Sequence, residues 1–328
     1  MTRRLFLCAL FPAFALAVAA DEAPSRERVR VTFVGSVSQS TAPRAVAAFW
    51  AELCEFGWVE GKNLIPESSW ADGHGERLPK LMSNAVARRT DVLVTFGTPA
   101  ATAARNASQT IPIVVMAMGD PVATGLAESL AHPGRNLTGL SGALEEQFVG
   151  KWLELLQESV PHVKTVAVLG QTDNRLNVKV LKALEGAAPE RGLSIRFYGF
   201  KAEDGIAAAI QEARRHAQAL LVLSDPITFQ ARRRLVVLAT KSRLPTVFPW
   251  REFVDDGGLM SYGSDSAELG RRAARYVDRI LRGAKPGDLP IEQPTRFMLV
   301  VNLRTAHELR LQLPEAILLR ADEVIRSR

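Results

Sequence analysis

The chain has 328 residues, 47% of them hydrophobic and 23% charged, and its formal net charge at pH 7 is +6. This composition is typical of a globular protein with a substantial core, and the length suffices for two domains. The densest basic run, Arg232-Arg233-Arg234, is more typical of a solvated helix face than of a nucleic-acid-binding patch, so no nucleic-acid partner is predicted.

The first twenty residues have the order of a secretory signal peptide. Arg3 and Arg4 precede an uncharged stretch that ends in small residues, and Ala17-Val18-Ala19 fits an A-x-A cleavage site. The stretch is short for a bilayer span and Pro12 interrupts it, which argues against the alternative of a membrane anchor. We therefore expect residues 1–20 to be removed on export, and the paired arginines leave the twin-arginine route open.

The mature chain retains a single cysteine, Cys54, because Cys8 lies in the predicted signal peptide. One cysteine cannot form an internal disulfide. Its neighbours Phe49, Trp50 and Leu53 are apolar, so the sequence predicts a small buried thiol.

Strand and helix signals alternate through the first part of the chain. Apolar runs predict strands at residues 29–34, 91–96 and 111–118, and helical periodicity predicts helices at residues 43–56 and around residues 78–86. Repeated strand-then-helix order predicts a parallel sheet with helices on both faces.

The same pattern then restarts, which predicts a second lobe of the same class. An amphipathic helix around residues 144–156 is followed by four predicted strands at residues 163–169, 193–198, 219–223 and 246–248. The last quarter offers a strand at 259–262, a helix at 266–281 and a strand at 297–301, too few elements for a third core. These elements must complete the two lobes, so the chain crosses between them several times.

The predicted crossings, at a hinge, lie near residues 139–142, 259–263 and 293–296. The first lobe then holds residues 29–140 and 264–291, and the second lobe holds residues 141–260 and 294–328. Lobes contiguous in sequence, joined by one linker, would contradict this arrangement.

Three predicted strands run directly into helix starts, at Gly97-Thr98-Pro99, Gly119-Asp120-Pro121 and Ser224-Asp225-Pro226. Thr and Asp suit the N-cap, and Pro suits the first helical position. Each could be a good helix start and nothing more. Ligands of open α/β sheets bind beyond the carboxyl ends of strands, however, so we predict that the three caps face one crevice between the lobes.

The chemistry of these caps suits an amphoteric ligand. Free N–H groups following Gly97 and Thr98 favour a carboxylate or other anion, whereas Asp120 and Asp225 favour an amine. Losing a charged hydrogen bond costs about 1.5–3 kcal/mol, so Asp225→Ala should weaken binding more than about tenfold if the carboxylate holds the amine.

Two aromatic residues, Trp250 and Tyr262, are predicted to supply an apolar wall for the ligand's side chain. Both follow second-lobe strands or hinge segments, and Tyr262 lies close to glycines that permit a bend. Packing in the core is the alternative for Trp250, because large aromatic side chains are mostly buried.

Motifs of catalysis are missing from the sequence. The five histidines lack metal-ligand spacing, and there is no nucleophile elbow, P-loop or dinucleotide-binding fingerprint. Ser36 and Ser38 follow the first strand without an adjacent base, so hydrogen bonding to a ligand is favoured over nucleophilic attack. We predict no enzyme activity, no metal and no cofactor.

Several segments between residues 31 and 324 together resemble the family of ABC-transporter substrate-binding proteins that includes the tryptophan-receptor type. They are Gly57-Trp58-Val59-Glu60-Gly61-Lys62-Asn63, Gly97-Thr98-Pro99-Ala100-Ala101, Gly119-Asp120-Pro121-Val122, Asn136-Leu137-Thr138-Gly139, Gly257-Gly258-Leu259-Met260-Ser261-Tyr262-Gly263 and Pro294-Thr295-Arg296-Phe297.

This resemblance implies a type I periplasmic-binding-protein fold: two α/β lobes, three hinge strands and a ligand between the lobes. It implies that the family's binding positions fall on Ser36, Ser38, Gly97, Thr98, Asp120, Ser141, Asn174, Asp225 and Tyr262. It also implies delivery of a small solute to an inner-membrane permease. We expect the protein itself to be a monomer.

The leading hypothesis is therefore a periplasmic receptor that passes an amino acid or related amphoteric solute to an ABC transporter. An exported sensing module of the same fold, not coupled to transport, is the main alternative. A sugar-responsive repressor is disfavoured because the predicted signal peptide occupies the position of its DNA-binding segment, and an exported hydrolase is disfavoured because no nucleophile and base are paired.

Overall fold

The computed structural model describes residues 28–40, 43–141 and 145–326. The predicted signal peptide lies outside these residues. Within them, no helix combines the length and the apolar character that a bilayer span requires.

Among the described residues, five strands form the sheet of a first lobe in the order β2-β1-β3-β4-β5, and all neighbouring pairs are parallel. Two helices pack on one face and one on the other, and the apolar runs predicted as strands fill the centre. The elements are β1 (Val29–Gly35), α1 (Pro43–Glu55), β2 (Leu64–Trp70), α2 (Leu78–Ala87), β3 (Val92–Phe96), α3 (Thr98–Ala107), β4 (Ile113–Met118) and β5 (Leu137–Ser141).

Residues 145–326 contribute seven strands to the sheet of a second lobe, in the order β12-β11-β10-β9-β8-β6-β7. Helices cover both faces of its parallel part. The elements are α4 (Val149–Ser159), β6 (Thr165–Gln171), α5 (Arg175–Ala187), β7 (Ser194–Phe200), α6 (Gly205–His216), β8 (Ala219–Val222), α7 (Pro226–Gln230), α8 (Arg232–Lys241), β9 (Thr246–Phe248), α9 (Arg251–Asp255), β10 (Met260–Ser264), α10 (Ser266–Leu281), β11 (Phe297–Asn302), α11 (Leu303–Glu308), α12 (Glu315–Arg320) and β12 (Glu323–Ile325).

One of these helices, α10, belongs by its packing to the first lobe, because it contacts α1, β4 and β5. The chain thus leaves the second sheet after Ser264, the last residue of β10, slightly later than the predicted crossing at residues 259–263. It returns through Glu292, which pairs with Leu140, and enters β11 at Phe297. Each lobe is therefore built from segments that are separated in sequence. The exact residues at which one lobe ends and the other begins remain a prediction.

The second sheet departs from an all-parallel sheet at one pair of strands, since β11 is antiparallel to β10. The direction follows from the crossings: β10 runs toward the other lobe and β11 comes back from it, so neighbours at the hinge run in opposite directions. Three strands escaped prediction: β2, β5 and β12. The strand β2 is a half-buried edge strand that contains Pro66 and Glu67, so its alternation of apolar and polar residues is weak.

The prediction of a buried thiol at Cys54 is wrong, because the residue is exposed. Its neighbour Leu53 is fully buried in the core beneath α1. On a helix, adjacent residues point about 100° apart, so apolar neighbours in sequence do not bury a residue on the solvent side.

Close packing of α10 on α1 depends on Gly270. A Cβ at this position would lie 2.1 Å from the carbonyl oxygen of Ala45, a backbone atom that cannot rotate away. We expect Gly270→Ala to lower the free energy of unfolding by about 1–3 kcal/mol, as overpacked cores do. Urea denaturation measures this change.

Gly186 in α5 provides the control, because no described atom lies within 4 Å of a Cβ built there. Gly186→Ala should instead raise stability by up to about 1 kcal/mol, since alanine favours the helix more than glycine does. Equal stabilities of the two variants would contradict a close-packing role for Gly270.

Candidate ligand-binding site

A cavity of about 570 Å³ lies between the two lobes. Its walls come from the carboxyl ends of β1, β3 and β4 in the first lobe and of β6, β8 and β9 in the second, together with the helix starts that follow them. This is the region where ligands of open α/β sheets bind, and the volume suits a small organic molecule. Seven predicted site residues line it: Ser36, Gly97, Thr98, Asp120, Asn174, Asp225 and Trp250.

The first-lobe wall presents hydrogen-bond donors at the start of α3. Gly97 adopts a positive φ of 87°, which glycine tolerates, and its N–H is satisfied by the carbonyl of Ala117 at 2.7 Å. The first intrahelical bond runs from Ala101 N–H to Gly97. The amide N–H groups of Thr98 and Ala100 precede that bond and have no intrahelical acceptor, and Pro99 between them carries no N–H.

Ser36 adds a second polar group to this wall. Ser36 is 6% exposed, and its buried hydroxyl has no hydrogen-bond partner among the described residues. Buried hydroxyl groups are nearly always paired in proteins, so this one is available to a ligand oxygen or nitrogen in the cavity.

The second-lobe wall holds the buried carboxylate of Asp225. One oxygen accepts the N–H of Thr228 at 2.8 Å, and the other accepts the N–H of Gln171 at 3.4 Å. The Thr228 hydroxyl accepts the N–H of Asp225 in return, which completes a capping box at the start of α7. Burial raises the pKa of Asp225 to about 6, above its ordinary value of 3.8, despite these donors.

Asn174 and Asp120 also serve as helix or turn caps. The side chain of Asn174 accepts the N–H of Leu176 at the start of α5. One oxygen of Asp120 accepts the N–H groups of Val122 and Ala123, and the other oxygen pairs with Lys179 of the second lobe at 3.0 Å. The Ala123 N–H and the nearby ammonium lower the pKa of Asp120.

Aromatic side chains from both lobes meet at the cavity. Phe96 of the first lobe lies 6.4 Å from Phe229 and 6.2 Å from Trp250, measured between ring centroids, and the latter two are 6.3 Å apart. The indole N–H of Trp250 donates to the hydroxyl of Ser224 at 2.8 Å, which fixes the orientation of the ring. We call Phe96, Phe229 and Trp250 the aromatic trio.

Three predicted site residues lie outside the cavity wall. Ser38 donates its N–H to Gln230 of the second lobe at 3.0 Å. Ser141 is fully buried at the end of β5. The ring of Tyr262 packs against Phe148 and Phe297 of the second core, and Tyr262 is not among the residues that line the cavity.

Several other residues that line the cavity or bridge the lobes were not predicted from the sequence, among them Phe96, Lys179, Ser224, Phe229 and Gln230. Phe96 and Ser224 directly precede Gly97 and Asp225, so their position beyond strand ends was a usable signal. Lys179 and Gln230 gave none, because their partners lie 59 and 192 residues away in sequence.

Metal binding finds no support in the described part of the chain, where no three His, Cys, Asp or Glu side chains cluster closely enough to hold an ion. The polar groups of the cavity include the start of α3, the Ser36 hydroxyl and the buried carboxylate of Asp225, beside an aromatic surface. This combination can bind a small molecule that carries an acid, a hydrogen-bond donor and an apolar group.

The chain matches the family model of the ABC transporter substrate binding protein over residues 30–325. It therefore belongs to that family, whose members bind small solutes outside the cytoplasm, work with ABC transporters and are not enzymes. The family resemblance inferred from the sequence motifs is confirmed, and so is the two-lobed α/β fold.

Three similar proteins illustrate the match. A tyrosine-binding protein of Clostridioides difficile is 25% identical over 289 residues, covering 88% of this chain and 83% of the relative. A conserved domain protein of Vibrio cholerae has a TM-score of 0.84 at 29% identity, covering 90% of this chain and 99% of that one. An ABC domain of Streptococcus pneumoniae in complex with L-Trp has a TM-score of 0.84 at 24% identity, covering 91% and 100%.

Proposed function

We propose that this protein is a periplasmic receptor that binds an amino acid with a large apolar side chain and delivers it to an ABC permease. The signal peptide predicted over residues 1–20 supports export. The proposal includes hinge segments near residues 139–142, 259–263 and 293–296, which join a lobe of residues 29–140 and 264–291 to a lobe of residues 141–260 and 294–328. The receptor acts as a monomer.

The observation that carries this proposal is the arrangement of polar groups at opposite sides of one cavity. The ligand's carboxylate lies at the start of α3, where the N–H groups of Thr98 and Ala100, the helix dipole and the Ser36 hydroxyl favour an anion. Its ammonium group faces Asp225, which is buried and has lost most of its hydration.

The aromatic trio supports a ligand with a large apolar side chain. Its three rings present faces and edges that pack well against an aromatic or long aliphatic group. The relatives described as binding tyrosine and L-Trp agree with this choice, so L-tyrosine and L-tryptophan are the first ligands to test.

A thermal-shift screen of the twenty amino acids tests the proposal. A ligand that binds the folded state alone raises the melting temperature, and we expect the largest rise with L-tryptophan or L-tyrosine. Tryptamine lacks the carboxylate and indole-3-propionate lacks the amine, so each should shift the melting temperature much less than L-tryptophan does.

Equal shifts with tryptamine and L-tryptophan would contradict the carboxylate site at α3. A melting temperature unchanged by all twenty amino acids would overturn the proposed ligand class. Free L-asparagine is a suitable negative control within the screen, because its short polar side chain would not cover the aromatic trio.

A further inference from the structure

Two side chains of the second lobe cross the cleft and bind the first lobe. The ammonium group of Lys179 lies 3.0 Å from a carboxylate oxygen of Asp120. The amide oxygen of Gln230 accepts the N–H of Ser38 at 3.0 Å, and its nitrogen lies 3.4 Å from the Ser38 hydroxyl. We call the first pair the lysine clasp and the second pair the glutamine clasp.

Each clasp is mounted on a helix that begins in the cavity wall. Lys179 lies in α5, whose N-cap is Asn174, and Gln230 is the last residue of α7, whose N-cap is Asp225. A shift of either second-lobe helix relative to the first lobe would therefore move the cavity wall and the clasp together.

The receiving groups of the first lobe are held in position. The second oxygen of Asp120 is fixed by the N–H groups of Val122 and Ala123, so the carboxylate points at Lys179 without further ordering. Apolar contacts accompany both clasps: Leu176 lies directly over Gly119, and the stem of Gln230 lies against Gly73.

We propose that the lysine and glutamine clasps close the cleft through protein contacts alone, and that they govern the rates of ligand entry and exit more than the affinity. Asp120 and Ser38 then serve the closing of the lobes, and neither contacts the ligand. The kinetic part of this proposal rests on the proposed function, whereas closure itself does not.

The kinetic signature follows from two-state reasoning. A clasp stabilises the closed form equally with and without ligand, since its atoms are the same in both. If ligand passes only through the open form, breaking a clasp speeds association and dissociation by similar factors. The affinity changes little until the empty protein becomes mostly open. Loss of a direct ligand contact would instead raise the dissociation rate and leave the association rate unchanged.

The expected size of the effect is moderate. Lys179 and Asp120 have side chains that are 45% and 27% exposed, so solvent screens their attraction. Each clasp is then expected to raise the ratio of closed to open protein about threefold, and the two clasps together about tenfold.

The first test needs no ligand. Small-angle X-ray scattering compares the empty protein with Lys179→Glu, Gln230→Ala and the double variant, and circular dichroism checks that each one folds. Lys182→Glu is the matched control, because it makes the same charge change on an exposed face of the same helix. We expect a larger radius of gyration in the double variant and no change in the control; equal radii in the double variant and the unchanged protein would overturn the proposal.

The second test uses stopped-flow fluorescence with L-tryptophan or L-tyrosine, whichever binds in the screen. In each single variant both rates should rise about threefold, while their ratio changes less than either rate. A raised dissociation rate with an unchanged association rate would identify Lys179 or Gln230 as a ligand contact and overturn the clasp. Should neither amino acid bind, the proposed ligand class fails and the scattering result alone decides on closure.

Discussion

At pH 7, Asp225→Asn is expected to bind L-tryptophan more than tenfold more weakly than the unchanged protein does. The substitution removes the charge that faces the ligand's ammonium group, and a charged hydrogen bond contributes about 1.5–3 kcal/mol. Asparagine is as good an N-cap as aspartate, so its side-chain oxygen can still accept the N–H of Thr228 and preserve α7. Isothermal titration calorimetry measures the affinity.

The affinity for L-tryptophan should depend on pH through the ionisation of Asp225. Burial raises the pKa of Asp225 to about 6, so at pH 5 about nine-tenths of the carboxyl groups carry a proton that an approaching ammonium must displace. The affinity should therefore rise about tenfold from pH 5 to pH 7. Asp225→Asn, which cannot ionise, should lack this dependence, since the ligand's own groups do not titrate in this range.

Stability should follow the opposite trend. Because the pKa of Asp225 is higher in the folded protein than its ordinary value of 3.8, the folded state binds the proton more tightly. The stability it contributes is full below about pH 3.8 and is lost as the pH rises through about 6, a change of about 3 kcal/mol. Urea denaturation of both proteins without ligand at pH 4.5 and pH 7 should show the unchanged protein losing stability relative to Asp225→Asn.

Asp173→Asn serves as the control for charge, because Asp173 is an exposed carboxylate in the cavity lining. Its effect on affinity should be less than about twofold, as expected for a solvent-screened charge. If Asp225→Asn binds as tightly as the unchanged protein, Asp225 is a helix cap and not a ligand contact.

Elements with strong periodicity could be predicted closely from the sequence. The helix expected at residues 266–281 coincides with α10, because Leu269, Ala273 and Val277 form one apolar stripe that packs on α1. The strands β4 and β8 were equally clear, since buried strands of a parallel sheet are continuously apolar. Interleaved lobes followed from the shortage of elements in the last quarter.

Weak or non-local features could not be predicted. The strand β5 contains Gly139 at a φ of 130°, where a Cβ would lie 2.2 Å from the carbonyl oxygen of Val115. Glycine is needed for β5 to pair with β4, but glycine is also uncommon in strands, so the sequence pattern did not indicate a strand there. The prediction of three caps facing one crevice used only local patterns and two rules of α/β folds. The pairing of Asp120 with Lys179 depends on how the lobes meet, which no local pattern encodes.

Trp250→Ala is expected to weaken the binding of L-tyrosine by about thirtyfold. Trp250 is the half-buried member of the aromatic trio on the β9 side of the cavity, and its indole N–H donates to Ser224. Removing an indole that packs against the ligand loses about 2 kcal/mol of apolar contact, which corresponds to that factor. Trp250→Phe keeps a ring and should lose less. Ser224→Ala, which frees the indole to rotate, should weaken binding about threefold.

Core packing is the competing role for Trp250, and stability measurements separate the two. If the ring chiefly supports Phe229 in the core, Trp250→Ala should lower the free energy of unfolding by several kcal/mol while the folded fraction binds normally. Trp58→Ala provides the reference for a tryptophan far from the cleft, since Trp58 bonds to Asp278 on the outer side of the first lobe. If Trp250 contacts the ligand, the affinity should fall in Trp250→Ala and stay unchanged in Trp58→Ala. Both affinities are measured by isothermal titration calorimetry at a temperature where each variant is folded.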